Sequence, residues 1–449
     1  MKRRLYESTL FVCLLMVCSQ RLLAREHEKN VMSLHDCMAY AVSHSTRMRL
    51  QEADRSDERW QRRQALMQVF TPVVEAQTYA YNQYGRNLDP ETNTYNGVNS
   101  FHNGYSVTAG IILFDGFKSV NYMRMASAMV RMGVSKERQV HDEICLATME
   151  AYYNVVYYTK LESVIQEQVS TAMTARDKAV RQEDLGQKGH ADVLQMESDV
   201  AQKEYMLVNA TNKKNDALIT LKDVMFWSED EELQIDHHIQ EPVISFASAS
   251  DLAETAKAVL PSAEIAALGV RQATLGLQMA RGAYFPKLSL NGGWSTTYYT
   301  YPGKADYKAQ SFNGQFRNNA GEFLEVSLYI PIFDQLQRHT SLHLKKNAVI
   351  RAKAEYDQTM RDIENEVARA ISDRDGALAA FRQAEKLSAY QQEVYLMSIR
   401  QFENGLISAI EYQTASQNYL NAMAERVNAL LTLRLKDSIV RYYQGEPYL

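Results

Sequence analysis

The segment Tyr105-Ser106-Val107-Thr108-Ala109-Gly110-Ile111-Ile112-Leu113-Phe114-Asp115 leads from a strand-like run directly into a long helical stretch. Its larger apolar residues stand mostly at odd positions, which is the period of a strand with one apolar face. The Phe-Asp ending returns at Phe333-Asp334, 219 residues later. No proline occurs at 116–182 or 335–401, so each ending is followed by a predicted helix of roughly 100 Å.

The chain repeats this order of elements. Gly186 and Gly405 are also 219 residues apart, and Pro72 and Pro286 precede the first strand of each half. A constant offset over so long a stretch predicts an internally duplicated chain. The predicted organisation is a signal peptide at 1–24, a first repeat of helix, β-hairpin, long helix and return helix at 25–227, a linker at 228–250 and a second repeat at 251–449.

The N-terminus predicts export. Three basic residues at 2–4 precede the short apolar run 10–17, which is the pattern of a signal peptide with cleavage near residue 19 or 24. Cys18 raises the alternative of a lipoprotein, although Val17 before it is bulky for that motif. In the mature chain, Cys37 and Cys145 are expected to be packed thiols and not a disulfide.

Four stretches of about ten residues alternate between apolar and polar side chains, and each is predicted to be a strand with two unlike faces. Such strands match those of transmembrane barrels, and the alternative is a soluble antiparallel sheet with one wet face. Four strands cannot close a barrel and lipid does not tolerate unpaired edges, so a membrane location requires an oligomer, either dimer or trimer. The stretches are 71–84, 105–113, 288–297 and 324–332.

Composition narrows the partners. The net charge of −5 and the mixing of acidic and basic residues do not suggest a polyanionic partner such as nucleic acid. Tyrosine is unusually frequent, with 27 residues, and a group near the strand ends is expected to form an interfacial aromatic girdle. This group contains Tyr79, Tyr81, Tyr84, Tyr105, Tyr298, Tyr299 and Tyr301.

Carboxylates stand at the predicted helix starts. Asp115 and Asp334 are well placed as N-caps of the two long helices. After the glycine turns, return helices are expected at 191–224 and 409–443. Ser408 and Glu411 form a capping-box pattern, and Asp192 takes the corresponding place after Gly189. Helix capping alone therefore explains both turn carboxylates.

Together these features resemble the TolC-like outer membrane efflux proteins over nearly the whole mature chain. The resemblance rests on Pro72 and Pro286, on the two Phe-Asp strand ends, and on a glycine turn followed by a carboxylate in each half. It implies a mainly helical homotrimer in which four transmembrane strands per chain complete a 12-strand β-barrel. The very long antiparallel helices would complete a 12-helix α-barrel in the periplasm.

The resemblance also implies partners and site residues. The expected partners are a periplasmic adaptor, an inner-membrane transporter and outer membrane lipid. Asp192 and Glu411, each six residues after a turn glycine, would line a cation-favouring pore constriction. Docking of the adaptor is expected at the helical tips, at Leu185, Gly186, Gly189, Phe402, Gly405 and Ser408.

Three positions depart from the best-known family pattern. Phe402 stands where the family has a tyrosine of the closing network, Ile407 where it has an arginine, and Thr414 where it has a second aspartate. If the tip closes, it must therefore close through other contacts.

The predicted function is a passive outer-membrane exit duct of a tripartite efflux or type I secretion system in a Gram-negative bacterium. The alternative is an exported periplasmic coiled-coil scaffold or adaptor without channel activity. We expect no enzymatic activity and no cofactor, because no nucleotide-binding loop or nucleophile motif is present. His339 and His343 have metal-ligand spacing but no evident third ligand, so no metal site is predicted, and His237-His238 carries less weight.

Overall fold

The computed structural model describes residues 31–88, 93–96, 99–228, 230–244, 248–302 and 310–449. The predicted signal peptide, its cleavage site and Cys18 lie outside these residues. The chain divides into two compact units, each assembled from separate stretches of sequence. We call them the helical unit, Met1–Leu50, Arg138–Leu260 and Asp362–Leu449, and the sheet unit, Gln51–Glu137 and Pro261–Arg361.

Two long helices and two return helices dominate the chain. Helix α3 spans Lys118–Asp184 and helix α8 spans Gln337–Glu403, with 67 residues each. The return helices are α4 at His190–Met225 and α9 at Ala409–Tyr443. The predicted return helices are confirmed, α9 with the predicted bounds.

The shorter helices are α1 at Leu34–His44, α2 at Thr46–Phe70, α5 at Ala249–Val259, α6 at Pro261–Gly282 and α7 at Phe312–Asn318. The single helix predicted at the start of the first repeat is therefore divided in two. Ser45 adopts an extended conformation, with φ −61° and ψ 128°, and ends α1. In the linker, residues 230–244 form no helix, and Ile235 makes an isolated bridge to Met32.

The main core of the helical unit packs α1, α3, α4 and the linker together. Cys37 and Cys145 are both free thiols, as predicted, and both are fully buried in this core. Val156 and Leu221, from α3 and α4, are also fully buried there. Burial of one aliphatic side chain of this size stabilises the fold by about 1.5–3 kcal/mol.

The four predicted strands form one antiparallel sheet in the order β1-β4-β5-β6. Their bounds are β1 Val73–Gln83, β4 Ser100–Phe114, β5 Lys287–Thr300 and β6 Gly321–Tyr329. A separate two-stranded sheet pairs β2, Asn87–Leu88, with β3, Tyr95–Asn96. The last strand was predicted to end at Ile332, but β6 ends three residues earlier, at Tyr329. Pro331 has no N–H to donate to a strand ladder.

The pairing register gives the main sheet one apolar and one polar face. Rows such as Ile111, Leu290 and Val326 lie on one face, because directly paired residues point the same way. Rows of Ser, Thr, Gly and Asn lie on the other. Among the described residues, β1 and β6 each pair with a single strand, so both edges of the main sheet are open.

The strand-end tyrosines divide between the two faces, so they do not form one outward girdle. Tyr81, His102 and Tyr299 are directly paired in one row, on the polar face. The rings of Tyr81 and His102 stack with centroids 4.9 Å apart. Tyr105 and Tyr298 lie on the apolar face. The alternation of apolar and polar residues did not assign these tyrosines because the tyrosine side chain suits either environment.

The long helices begin two residues later than predicted. Gly116 and Phe117 both have positive φ, 69° and 63°, and so cannot belong to a right-handed helix. Gln335 and Leu336 repeat this, at 55° and 67°. A left-handed pair therefore turns the chain from strand to helix at both corners.

Asp115 and Asp334 consequently stand before the N-cap positions, which Phe117 and Leu336 occupy. Their carboxylates still accept backbone N–H groups of the first turn. Asp115 accepts from the Ser119 N–H at 3.0 Å, and Asp334 accepts from the Arg338 N–H at 3.0 Å. Both bonds reach four residues ahead, further than the two or three residues of an N-cap, because the left-handed pair intervenes.

Candidate functional site

The first helical turn joins α3 to α4 and closes with a Schellman motif. The N–H of Gln187 donates to the Gln182 carbonyl at 2.8 Å. The N–H of Gly186 donates to the Glu183 carbonyl, also at 2.8 Å. This pair of bonds satisfies carbonyls at the helix end and requires a left-handed residue, which glycine provides with φ of 73°.

The second helical turn joins α8 to α9 and has the same construction. The N–H of Leu406 donates to the Gln401 carbonyl at 2.8 Å, and that of Gly405 to the Phe402 carbonyl at 3.1 Å. Gly405 has φ of 70°. Each turn also presents one strongly exposed leucine, Leu185 at 71% and Leu406 at 73%.

Glu411 forms the predicted capping box with Ser408. Its carboxylate accepts from the Ser408 backbone N–H at 2.8 Å, and the Ser408 hydroxyl accepts from the Glu411 N–H at 3.3 Å. The backbone N–H of Ser408 and then its hydroxyl lower the pKa of Glu411 below its usual range. The carboxylate is therefore a charged group held at the start of α9.

Asp192 occupies the matching position in α4 without the reciprocal cap. The N-cap is Gly189, which has no side chain to offer. The backbone N–H of Asp192 donates to the Gly189 carbonyl at 3.1 Å. Burial lowers the pKa of Lys188, and the negative charge of Asp192 opposes this shift. The two turn carboxylates thus differ in how firmly the backbone holds them.

Phe402 is a packing residue of the tip. Its side chain is 3% exposed, and its ring stacks on Tyr412 with centroids 5.2 Å apart. The Lys188 ammonium lies 3.1 Å from the ring centroid and donates to the Phe402 carbonyl at 3.3 Å. Phe402 can therefore contribute to a docking region by its position beneath Lys188, and not by direct contact.

Further polar contacts join the end of α3 to the end of α8. The Gln182 side chain donates to the Glu403 carbonyl at 3.0 Å, and the Lys178 ammonium lies 2.6 Å from the Glu403 carboxylate. Ile407, which stands at the family's arginine position, is partly buried against the tip cluster that contains Phe402 and Tyr412. Thr414 donates its hydroxyl proton to the Ile410 carbonyl of its own helix at 2.8 Å.

A buried polar network above the tip was missed by sequence reasoning. Lys203 of α4 is 2% exposed, and its ammonium donates to the Ser416 hydroxyl of α9 at 2.7 Å. Ser416 donates to the Gln168 side chain of α3 at 2.9 Å. Asp199 lies one helical turn before Lys203, 3.7 Å from its ammonium, and is 5% exposed.

Burial shifts the pKa of both members of this pair toward the neutral form. Desolvation raises the pKa of Asp199 and lowers that of Lys203, and their mutual attraction opposes both effects. The available sequence signal was that Asp199 and Lys203 share a helix stripe with the buried apolar residues Met196 and Val200.

The sequence also offers a histidine pair with metal-ligand spacing, which lies in α8. The rings of His339 and His343 lie with centroids 4.5 Å apart. Within the described ranges, no group of three His, Cys, Asp or Glu residues is arranged to hold a metal ion. No helix in the part of the chain that the structure describes is both long and apolar enough to cross a membrane.

Comparison with known sequences identifies a family model and a relative. Residues 252–436 match the family model "Outer membrane efflux protein". Over 158 residues the chain is 27% identical to the outer membrane protein OprJ of Pseudomonas aeruginosa, a match that covers 35% of this chain and 30% of OprJ. The chain thus aligns with about a third of the length of this relative.

Comparison with solved structures extends the similarity to 92% of the chain. CusC, whose structures concern transmembrane channel formation, has a TM-score of 0.77 at 14% identity over 92% of this chain and 91% of its own. The CmeC outer membrane channel of Campylobacter jejuni has a TM-score of 0.75 at 15% identity over 92% of this chain and 85% of its own. At such identities the likeness shows the fold.

The long paired helices and the four-stranded two-faced sheet are thus the fold of the outer membrane channels. The family match within the second half agrees with the fold of the whole. Residues 252–436 thus match the outer membrane efflux family model, and 92% of the chain shares the fold of solved outer membrane channels.

Proposed function

We propose that this chain is the outer-membrane exit duct of a tripartite efflux or type I secretion system and works as a passive homotrimer. The observation that carries the proposal is the main sheet, which has one apolar face, one polar face and two open edges. An open edge exposes unpaired N–H and C=O groups, each of which costs several kcal/mol in lipid. Pairing β6 of one copy with β1 of the next removes both edges.

Three copies arranged in this way make a barrel of twelve strands, with the apolar face toward lipid and the polar face toward a water-filled lumen. The four helices α3, α4, α8 and α9 would likewise contribute twelve helices to a second barrel. Equal lengths of α3 and α8, and their starts 219 residues apart, support an internal duplication of the chain. The mature chain would then consist of the two predicted repeats joined by the linker.

In this duct, three copies of Asp192 and Glu411 would ring the pore at the tip. A ring of carboxylates favours cations because it places several negative charges around a narrow water column. Glu411 suits this role, since a glutamate is charged at neutral pH and the cap lowers its pKa further. Its function as a helix cap is compatible with setting the potential of the pore.

The two turns are the proposed docking surface for a periplasmic adaptor, which would in turn connect the duct to an inner-membrane transporter. Leu185, exposed beside Gly186, offers an apolar anchor, and Gly189, Gly405 and Ser408 are exposed around the two turns. Exposed apolar residues in a polar rim are typical of protein interaction sites. Substrate choice would then rest with the transporter.

Planar-bilayer recording tests the proposal. The purified protein should give discrete cation-selective conductance steps, and the double variant Asp192→Asn with Glu411→Gln should lose selectivity while it retains the steps. Glu197→Gln, which removes an exposed carboxylate from α4, is the matched control and should change neither. Unchanged selectivity in the double variant would reduce both carboxylates to helix caps. Extraction of the native protein from membranes without detergent would instead favour a periplasmic scaffold.

A further inference from the structure

A cavity of about 510 Å³ lies in the helical unit between α3, α4 and the linker. We call it the linker cavity, and its linker wall is formed by residues 233–238. Its volume falls within the range that holds small-molecule ligands in proteins. None of the residues that line it takes part in the pore or docking sites.

Apolar side chains make up part of the lining of the linker cavity, and we call this part its floor. They include Val155 of α3, Leu218 of α4, and Leu233 and Ile235 of the linker. Val155 is 1% exposed and Ile235 3% exposed, so both side chains are fixed in the core. An apolar floor of this kind favours a hydrocarbon chain, because it contributes through the removal of apolar surface from water.

Cationic groups line the same cavity. Lys160 is exposed and makes no ion pair with any described residue, whereas the Lys214 ammonium lies 2.6 Å from the Glu162 carboxylate. Asp236 also lines the cavity, but its carboxylate accepts the backbone N–H of His238 at 2.8 Å. The lining therefore carries two ammonium groups and one carboxylate, and Lys160 is the ammonium that makes no ion pair with a described residue.

His237 adds a polar group without a partner. Its Nδ1 atom is buried and makes no hydrogen bond within the described part of the chain. Burial lowers the pKa of His237, the ammonium groups of Lys160 and Lys214 lower it further, and the Asp236 carboxylate opposes them. Both lysines thus lie close enough to act on the ring, and the neutral imidazole has one N–H to donate.

The geometry points to a binding site for a single-chain anionic amphiphile, of the fatty-acid carboxylate class, in the linker cavity. The carboxylate would accept from the Lys160 ammonium and the His237 imidazole, and the acyl chain would cover Val155, Leu218 and Ile235. A ligand with both an anionic group and a chain suits this lining, because Lys160 offers an ammonium without an ion pair and the apolar side chains offer a surface for the chain. This inference does not rest on the proposed duct.

Photolabelling of the full-length protein in nanodiscs of zwitterionic lipid tests the inference. The probe is octanoate with a terminal diazirine, and labelled peptides are identified by mass spectrometry. We expect label on the peptides that contain residues 155–160, 214–218 and 233–238, displaced by octanoate but not by acetate or octyltrimethylammonium. Lys160→Gln should weaken labelling by about tenfold, as expected for loss of a charge-assisted hydrogen bond.

Lys213→Gln is the matched control, because Lys213 neighbours Lys214 in sequence but does not line the cavity. It should label like the native protein. Leu218→Trp, which fills the floor without a change of charge, should abolish labelling. Label spread over the membrane-facing strands, equal displacement by octyltrimethylammonium, or labelling unchanged by both Lys160→Gln and Leu218→Trp would overturn the inference.

Discussion

The ammonium of Lys203 donates to the hydroxyl of Ser416 at 2.7 Å, and this bond joins the return helix of the first half to that of the second. Both side chains are buried, so neither end of the bond competes with water. One oxygen of the neighbouring Asp199 carboxylate, Oδ2, has no hydrogen-bond partner within the described residues. A buried network of this kind specifies how helices pair. Removal of one charged partner should therefore be costly, whereas removal of both should cost much less.

We expect Lys203→Met to lower the free energy of unfolding by about 3–5 kcal/mol, since it leaves the Asp199 carboxylate buried without a cation. The double variant Lys203→Met with Asp199→Leu removes both charges and should recover most of that loss. Chemical denaturation of the purified protein, followed by circular dichroism, measures the difference. Lys213→Met is the exposed control. Equal losses in the single and double variants would show that the pair contributes by its individual contacts and not as a charge pair.

The two turn glycines should tolerate side chains poorly because of their backbone, and not for lack of space. A Cβ at Gly405 would meet no atom within 4 Å, but φ is 70°. Gly405→Ala should therefore destabilise the protein by about 1–2 kcal/mol, and Gly405→Asn by less, because asparagine adopts left-handed conformations more readily.

Gly376→Ala provides the matched control for this experiment. Gly376 lies within α8, also with open space around a Cβ, and its φ is not positive. Alanine there should stabilise the helix by up to about 1 kcal/mol. Thermal unfolding of both variants should thus show shifts of opposite sign. Shifts of the same sign would contradict the assignment of Gly405 to the left-handed region.

How far the sequence determined these features depends on the kind of interaction. Gly186 and Gly405 were found from the sequence, because a left-handed helix end selects glycine. Phe117 and Leu336 also have positive φ but were not found, because the strand-to-helix corner imposes this conformation on residues that do not prefer it. The bounds of both long helices were therefore wrong at their starts.

The buried network was missed for a different reason. Lysine and aspartate normally indicate a solvated helix face, and only the packing of three helices around Lys203 makes its position an interior one. Phe402 illustrates the converse, since its place in a turn motif suggested a surface role and the structure buries it beneath Lys188. Both errors concern tertiary contacts that no local pattern encodes.

The strand-to-helix corner should be intolerant of any side chain at Gly116. A Cβ there would lie 2.1 Å from the Gly282 carbonyl oxygen, which is backbone and cannot rotate away. Gly116→Ala should therefore reduce the yield of folded protein more than Gly186→Ala, although both glycines have a positive φ near 70°. Heat-stable assembly on gels and the unfolding midpoint measure this. Similar losses for the two variants would argue against the close approach of the two glycines.

Glu411 should give the stability of the helical unit a defined acid dependence. Its pKa is lowered in the folded protein from an ordinary value of 4.5, first by the Ser408 backbone N–H, so folding favours its charged form. The contribution is present above the ordinary pKa and is lost as the pH falls through the lower folded value. Glu411→Gln should therefore unfold at a lower temperature than the native protein at pH 7, and the difference should shrink as the pH is taken below about 4.

Melting temperatures recorded for both proteins between pH 7 and pH 3 test this, with Glu197→Gln as a variant that loses a carboxylate but no capping bond. Ser408→Ala should show a smaller narrowing, because it removes the hydroxyl bond to Glu411 and leaves the backbone N–H bond, which lowers the Glu411 pKa more. Because the capping bonds lie within a single helix start, the effect requires neither a closed pore nor a trimer. A difference between Glu411→Gln and the native protein that stays constant over the whole range would show that the carboxylate is not held by the cap.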